Sequence, residues 1–372
     1  MALRPEELMD AIAAFAGHVV RTTYDDLPDA AVAAAKTLIL DSLGVGVVGS
    51  AGPWADELVR AAGGWGRGEE TRVWVRGARL PAPAAALCNA YQVHNSEFDC
   101  IHERAVVHPM AVLLPAALAH AERAGGVAGR DLLTAVALGV DVGASLGVAS
   151  RAPLRFFRPA TAGAFAATAA IGKLMGFDEA TLVNAFGAVL GQVCGTMQAH
   201  SEGSLLLALQ IGFNARNALV ACDLAANGLR GPRHLLEGPF GYYALFEGEH
   251  DLDHDPLRQR EPRGVAERVR PEVVDVHARL EQRAGEDVGH AEAGLVRAHP
   301  GARRAPDQAL GQGRHMGLDP RHVGRAEAVL LAQRQHGVEH AMGRAAGRER
   351  LEGDLGYAPD LAELVQHRGE VV

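Results

Sequence analysis

From residue 254 to residue 372 the chain uses no Ile, Phe, Trp, Lys, Ser, Thr, Cys or Asn. A folded segment of that length normally draws on aromatic and β-branched side chains for its core, and on Ser, Thr and Asn for its turns. This one has Leu, Val and Ala, a single Tyr (Tyr357), and turn formers confined to Gly, Pro and Asp. It also holds 18 of the 34 Arg and 9 of the 17 His, with 19 acids set against those 18 Arg, so it is no basic arm. Two readings stay open. One is a GC-biased, Arg- and Glu-rich helical region that folds loosely or on a partner. The other is a C-terminus produced by a shift of reading frame near residue 253. On both, the ordinary domain is residues 1–253, and residues 254–372 are a compositionally aberrant tail, irregular or loosely helical.

The 372 residues are 48% hydrophobic and 22% charged, as in soluble globular chains. A net charge of −9 argues against nucleic acid or an anionic membrane as the main partner, although a local pocket in an acidic protein can be cationic. Cys88, Cys100, Cys194 and Cys222 form no CxxC pair and are too sparse for a disulfide framework, so a reducing cytoplasm is expected. The opening MALRPEELMDAIAAFAG carries acids early and lacks the basic and apolar regions of a signal peptide. No run of 18 residues reads as free of charge and apolar enough to span a bilayer. The nearest, 132–148, has Asp141 at its middle and suits a tightly packed soluble helix.

Helical periodicity runs through the first 253 residues. Leu8, Ile12, Phe15, Val19 and Val20 form a stripe of period 3.6. Further helices are predicted over 26–48, 54–62, 83–97, 109–124, 129–149, 160–174, 178–198 and 206–228, punctuated by Gly125-Gly126, Pro159 and Gly176. Residues 71–75 (TRVWV) form the one clear strand. Strands and helices do not alternate, so the fold class is an all-α large domain, not a parallel α/β sheet. Gly139, Gly143 and Gly147, four residues apart, are read as a face that lets another helix approach.

Several motifs fail on context. GVGVVG at 44–49 matches GxGxxG, but a helical run precedes it and Gly52-Pro53 follows, so a helix end loosened by glycines is preferred to a dinucleotide site. His102-Glu103 begins like HExxH, but Val106 stands where the second His belongs. The segment 94–109, HNSEFDCIHERAVVHP, differs from these: it gathers three His and three acids at a helix end and in the loop after it. Such groups in one cleft perturb each other's pKa, which suits general acid–base work. Phe98, Ile101, Val106 and Val107, interleaved with the charges, point to partial burial; a solvated loop is the alternative. His94, Asp99, His102 and His108 could also hold a metal, but their spacing fits no standard ligand set, and no metal is expected.

At this segment the chain resembles the MmgE/PrpD family, which includes 2-methylcitrate dehydratase, cis-aconitate decarboxylase and iminodisuccinate epimerase. The likeness covers about residues 5–253: LDSLGVGVVGS, NAYQVHNSEFDCIHERAVVHPMAVLLPAALA, RFFRPATAGAFAATAAIGKLMGFD and LQIGFNARNALVACDLAANGLRGPRHLLEGPFGYYALF, in order. The resemblance implies a helical bundle, a smaller α+β domain after it, homodimers, and cofactor-free chemistry on small di- or tricarboxylates. Glu97 and Asp99 match the family's acidic pair, and His108 its HP histidine. Cys100-Ile101 replaces the usual threonine, Arg158 replaces a histidine, and 207–210 lacks the usual lysine. The KPFPSGRATH-type motif of the smaller domain is missing from the tail.

The expectation is therefore a lyase that dehydrates a small hydroxy di- or tricarboxylate without metal or cofactor. The alternatives are an epimerase in the same pocket and an inactive, truncated or frame-shifted relic. His108 is expected as base or acid with His102 as its partner, Asp99 and Glu97 as orienting or proton-exchanging carboxylates, and Arg104 and Arg158 as clamps on a substrate carboxylate. Because the tail supplies no Lys, Ser or Thr to a cleft, turnover by this chain is expected to stay below about 1 s⁻¹.

Overall fold

The computed structural model describes residues 10–151 and 153–248. The tail, Leu8 and the proposed division at 253 lie outside the described residues.

Ten α-helices are found among the described residues, and they follow the apolar periodicity closely. They are α1 (Ile12–Arg21), α2 (Asp29–Gly49), α3 (Ala55–Gly63), α4 (Ala82–His94), α5 (Pro109–Arg123), α6 (Gly129–Ala149), α7 (Arg158–Leu174), α8 (Glu179–Leu190), α9 (Gln198–Ser201) and α10 (Leu206–Ala226). Pro109 and Pro159 sit in the first turns of α5 and α7, where a missing N–H costs nothing and the fixed φ favours the helix. Asp178 caps α8 by accepting the Thr181 amide at 2.7 Å. The fold class is mostly helical, as expected.

Three readings are corrected in detail. The helix expected over 178–198 ends at Leu190, because Gly191 follows and Gly195 takes φ +126, a conformation closed to most side chains. The strand shortens to β1 (Thr71–Arg72), paired antiparallel with β2 (Arg79–Leu80), because Val75 turns the chain with φ 65. The glycines of 44–49 do not loosen a helix end; α2 runs through them to Gly49, where a Cβ would strike the Gln92 carbonyl of α4.

α4, α5, α6, α7 and α10 form the interior, with α6 against α7 and α10 against both α4 and α7. Their contacts are built of Ala, Leu, Val and Phe side chains that are almost wholly excluded from solvent. At Gly139 and Gly143 the small-residue face of α6 does what its spacing suggests and admits Ala166 of α7, whereas at Gly147 it meets the loop before α5. Gly147 leaves no room for a side chain because the backbone of Ala105 rests on it.

Among the described residues two helices, α2 and α6, are long and apolar enough to cross a membrane by length and composition, which corrects the expectation that none is. α6 is enclosed by protein along nearly its whole length. Its mid-helix Asp141 is fully buried and lies 3.0 Å from His18 Nε2 of α1. A charge inside an apolar run is thus explained by a partner from another helix.

Candidate active site

Loop 95–108 leaves the C-terminus of α4 and enters the N-terminus of α5, so helix geometry fixes both of its ends. His94 is the last residue of α4, and His108 is the residue before Pro109 at the start of α5. Asp99 turns inward between them with no exposed side-chain surface. His94 Nδ1 lies 3.0 Å from each Asp99 oxygen, and His108 Nδ1 lies 3.2 Å from Asp99 Oδ2. The imidazoles meet edge to face with centroids 4.9 Å apart, and Phe157 covers His94 at 5.7 Å. His108 keeps 13% of its side chain exposed, which makes it the member of the trio open to solvent.

The electrostatics follow from one buried carboxylate between two imidazoles. Burial by itself would raise the Asp99 pKa, but His94 and His108 outweigh it and hold the carboxyl well below the usual range. Burial would likewise lower His108. The charge and hydrogen bonds of Asp99, with a further contribution from Glu97, overcome this and raise it above the ordinary imidazole value. His108 is therefore stabilised as an imidazolium against Asp99. A second carboxylate, Asp41 of α2, is pushed up to about 6 by burial and by the negative charge of Asp99. Cys100 is an inert thiol: burial drives its pKa well up, and Asp99 and Asp41 add to the effect.

The distal part of the loop is a tight hairpin. His102 N donates to Val107 O at 2.9 Å, Val107 N to His102 O at 3.4 Å, and Ala105 N to His102 Nδ1 at 3.1 Å. A ring nitrogen that accepts a backbone N–H carries no proton, so neutral His102 has its proton on Nε2. Burial and Arg104 lower the His102 pKa, which favours that neutral form. Glu97 and Val106 hold φ values of 54 and 52, positive for residues with a Cβ and most costly for β-branched Val. Such strain is retained where surrounding contacts over-determine the backbone. Val106→Gly is expected to raise stability by about 0.5–1 kcal/mol, since left-handed conformation costs an L-residue roughly 1–2 kcal/mol and glycine gives part of this back in entropy. Thermal melting checks it; a drop of several degrees would show that Val106 is not strained.

The structure brings Asp99 and His108 together with His94, which the sequence reading had named only as a potential metal ligand. Glu97 is exposed and outside the trio, His102 is half-buried in the hairpin, and Arg104 is exposed at its turn. Arg158 requires a correction. It is 4% exposed, donates Nε and Nη2 to Glu247 at 2.6–3.2 Å, Nη2 to Ser150 Oγ at 3.0 Å and Nη1 to the Ala105 carbonyl at 3.2 Å. All three guanidinium nitrogens are engaged within the protein, which leaves no edge for a substrate carboxylate. Asp41 and Glu247 were missed. An acid within the apolar stretch LILDSLGVGVV was a usable signal for Asp41; nothing local marked Glu247, which lies 89 residues from its partner.

His94, Asp99 and His108 also form a group whose ligand atoms lie within 4.8 Å of one another, a spacing open to a two-His, one-carboxylate cation site. Both imidazoles turn Nδ1 toward the carboxylate, at 3.0 and 3.2 Å.

Residues 13–255 match the model of the MmgE/PrpD N-terminal domain. The chain is similar to the cis-aconitate decarboxylase of Aspergillus terreus, 32% identical over 245 residues, covering 64% of this chain and 50% of that protein. It is similar to the cis-aconitate decarboxylases of Homo sapiens, 30% identical over 232 residues (59% of this chain, 47% of that one), and Mus musculus, 29% over 240 residues (62% and 49%). The chain thus spans about half the length of the curated relatives it matches.

Proposed function

Because the chain belongs to the MmgE/PrpD family, we propose that it is a lyase acting on a small unsaturated tricarboxylate such as cis-aconitate, by decarboxylation with proton transfer from His108. The observation that carries this reading is the partly exposed imidazole of His108 with its Nδ1 3.2 Å from fully buried Asp99, a neighbour that favours the protonated ring. In such a reaction the bond to one carboxylate carbon breaks and CO₂ leaves. The electron pair spreads into the adjacent double bond, and an acid delivers a proton to the carbon at its far end. His108 supplies that proton, becomes neutral, and recovers a proton from solvent through its exposed face. Asp99 keeps its charge throughout and so opposes loss of the proton until negative charge has built up on the substrate. Arg104, exposed at the hairpin turn, is available to hold a second carboxylate.

Dehydration, the reading first taken from the sequence, needs a base to remove a proton as well as an acid for the leaving hydroxyl. Epimerisation needs a base too. His102 fits that role poorly, because its Nδ1 is occupied as an acceptor and its neutral form carries the other nitrogen's proton. The resting site is therefore furnished as an acid, which favours decarboxylation.

The test is product analysis with the purified chain, over hours if turnover stays below about 1 s⁻¹. Incubation with ¹³C-labelled cis-aconitate is expected to release CO₂ and form one decarboxylated alkene, unaffected by EDTA. Water elimination from hydroxy-carboxylates, seen as rising absorbance at about 240 nm without CO₂, would replace this reading by a dehydratase. Solvent deuterium entering a product of unchanged formula would replace it by an epimerase. Loss of activity in EDTA with recovery on adding zinc would assign His94, Asp99 and His108 to a metal instead. A homodimer in a reducing cytoplasm, with no membrane or nucleic-acid partner, belongs to the same proposal; light scattering on the purified chain checks the dimer.

A further inference from the structure

We infer that Arg158 is a positioning residue that sets the tautomer of His102. The guanidinium sits in the first turn of α7, and Glu247, from the π-helical turn Tyr243–Glu247, neutralises it through Nε and Nη2. This pairing fixes the plane of the group. Its remaining nitrogen, Nη1, then reaches across to the Ala105 carbonyl at 3.2 Å. The same Ala105 peptide rests against Gly147 of α6, where a Cβ would collide with it. Ala105 is thus held from two sides, and its N–H is directed at His102 Nδ1, 3.1 Å away. The chain of contacts runs from Glu247 through Arg158 to the Ala105 carbonyl, and from the Ala105 amide to the ring. Its consequence is a neutral His102 that presents Nε2–H, a hydrogen-bond donor, from the hairpin that leads into His108.

An arginine is required for this arrangement. A carboxylate partner, a hydroxyl and a carbonyl in three directions call for donors on three nitrogens of one rigid plane, which a lysine lacks. A cation at a helix N-terminus is also opposed by the helix dipole, so Arg158 is placed there against local preference and is held by Glu247. The inference rests on reading the cluster of His94, Asp99 and His108 as the reactive site. Its readout is the position of a proton, so it can fail while turnover persists, or hold in a chain that proves inactive.

The experiment is ring-nitrogen NMR on the ¹⁵N-labelled full chain, with His102→Gln used to assign the signals. The wild-type protein is expected to show His102 as a single tautomer, bare at Nδ1 and protonated at Nε2. Arg158→Lys keeps the charge opposite Glu247 but loses the reach to Ala105. It is expected to convert His102 to a mixture of tautomers and to speed hydrogen exchange of the Ala105 amide roughly tenfold or more, as loss of a charged hydrogen bond implies. Ser150→Ala removes a different partner of the guanidinium and is expected to leave the tautomer unchanged. The inference is overturned by a wild-type His102 protonated at Nδ1, by an unchanged ring signature in folded Arg158→Lys, or by an equal change in Ser150→Ala. If Arg158→Lys does not fold, the double variant Glu247→Ala/Arg158→Met, which removes the ion pair together, takes its place, and an unchanged His102 ring signature there overturns the inference.

Discussion

His108→Ala is expected to slow the proposed reaction by roughly 10²–10⁴-fold, the range for loss of a positioned general acid. The ring is the solvent-open member of a cluster whose buried carboxylate exists to favour its charged form, and no other imidazole of the trio can replace it. His94 has 2% of its side chain exposed, and its Nε2 is buried without a hydrogen-bond partner among the described residues. The variant also has a stability signature that does not depend on turnover. The folded-state pKa of His108 is raised, so its contribution is fully present below the unfolded value of about 6.5 and fades as pH rises through the folded value. Asp99 is lowered, so its contribution is present above about 3.9 and is lost only as pH falls through the folded value. The wild-type melting temperature should therefore hold between about pH 4 and 6.5 with respect to this pair and decline on the alkaline side. In His108→Ala that alkaline decline should vanish. Single-turnover assays and melting between pH 5 and 9 check both parts. Unchanged turnover would remove His108 from the mechanism.

Glu247→Ala is expected to destabilise the protein by about 3–5 kcal/mol, the cost of leaving one half of a buried ion pair without its counter-charge. Arg158 and Glu247 are 4% and 3% exposed, so water cannot replace the lost partner. Ser150 and Tyr242, which donate to Glu247 at 2.8 and 3.2 Å, lose an acceptor at the same time. The double variant Glu247→Ala/Arg158→Met is expected to recover most of this, because an apolar side chain of similar length removes the stranded charge along with its partner. Melting in denaturant for the two single variants and the double measures the coupling directly. A Glu247→Ala protein as stable as the wild type would show that the pair is solvated in solution. Because this pair carries the contact to Ala105, its loss should also disorder the hairpin around His102.

The candidate site was legible in the sequence to the extent that it is local. His94, Asp99, His102 and His108 fall within fifteen residues, and apolar residues between them signalled burial. The helix expected over 83–97 ends three residues earlier, at His94, so the loop it opens begins before Glu97. Which ring faces Asp99 could not be read, because it depends on the turn made at Glu97, whose φ of 54 is not a propensity any pattern encodes. Hence His102 was expected as the partner of His108, whereas His94 shares its carboxylate.

The all-α class, the succession of helices and the packing role of the α6 glycines were set by periodicity and small-residue spacing, which depend on neighbours within a turn or two of helix. The break at residue 253 is likewise a property of composition. The role of Arg158 was decided by tertiary structure alone. In sequence it is a cation beside a helix start, as suited to a substrate carboxylate as to any other. Only the fold brings Glu247 within 2.6 Å of it and the Ala105 carbonyl within 3.2 Å, across separations of 89 and 53 residues. Asp41 and Asp141 repeat the point: each is an acid in an apolar helix, and what it does depends on whether the chain delivers a second carboxylate, as at Asp99, or an imidazole, as at His18. Local pattern states that a charge is buried. Its partner, and therefore its protonation and its chemistry, comes from contacts that only the folded chain makes.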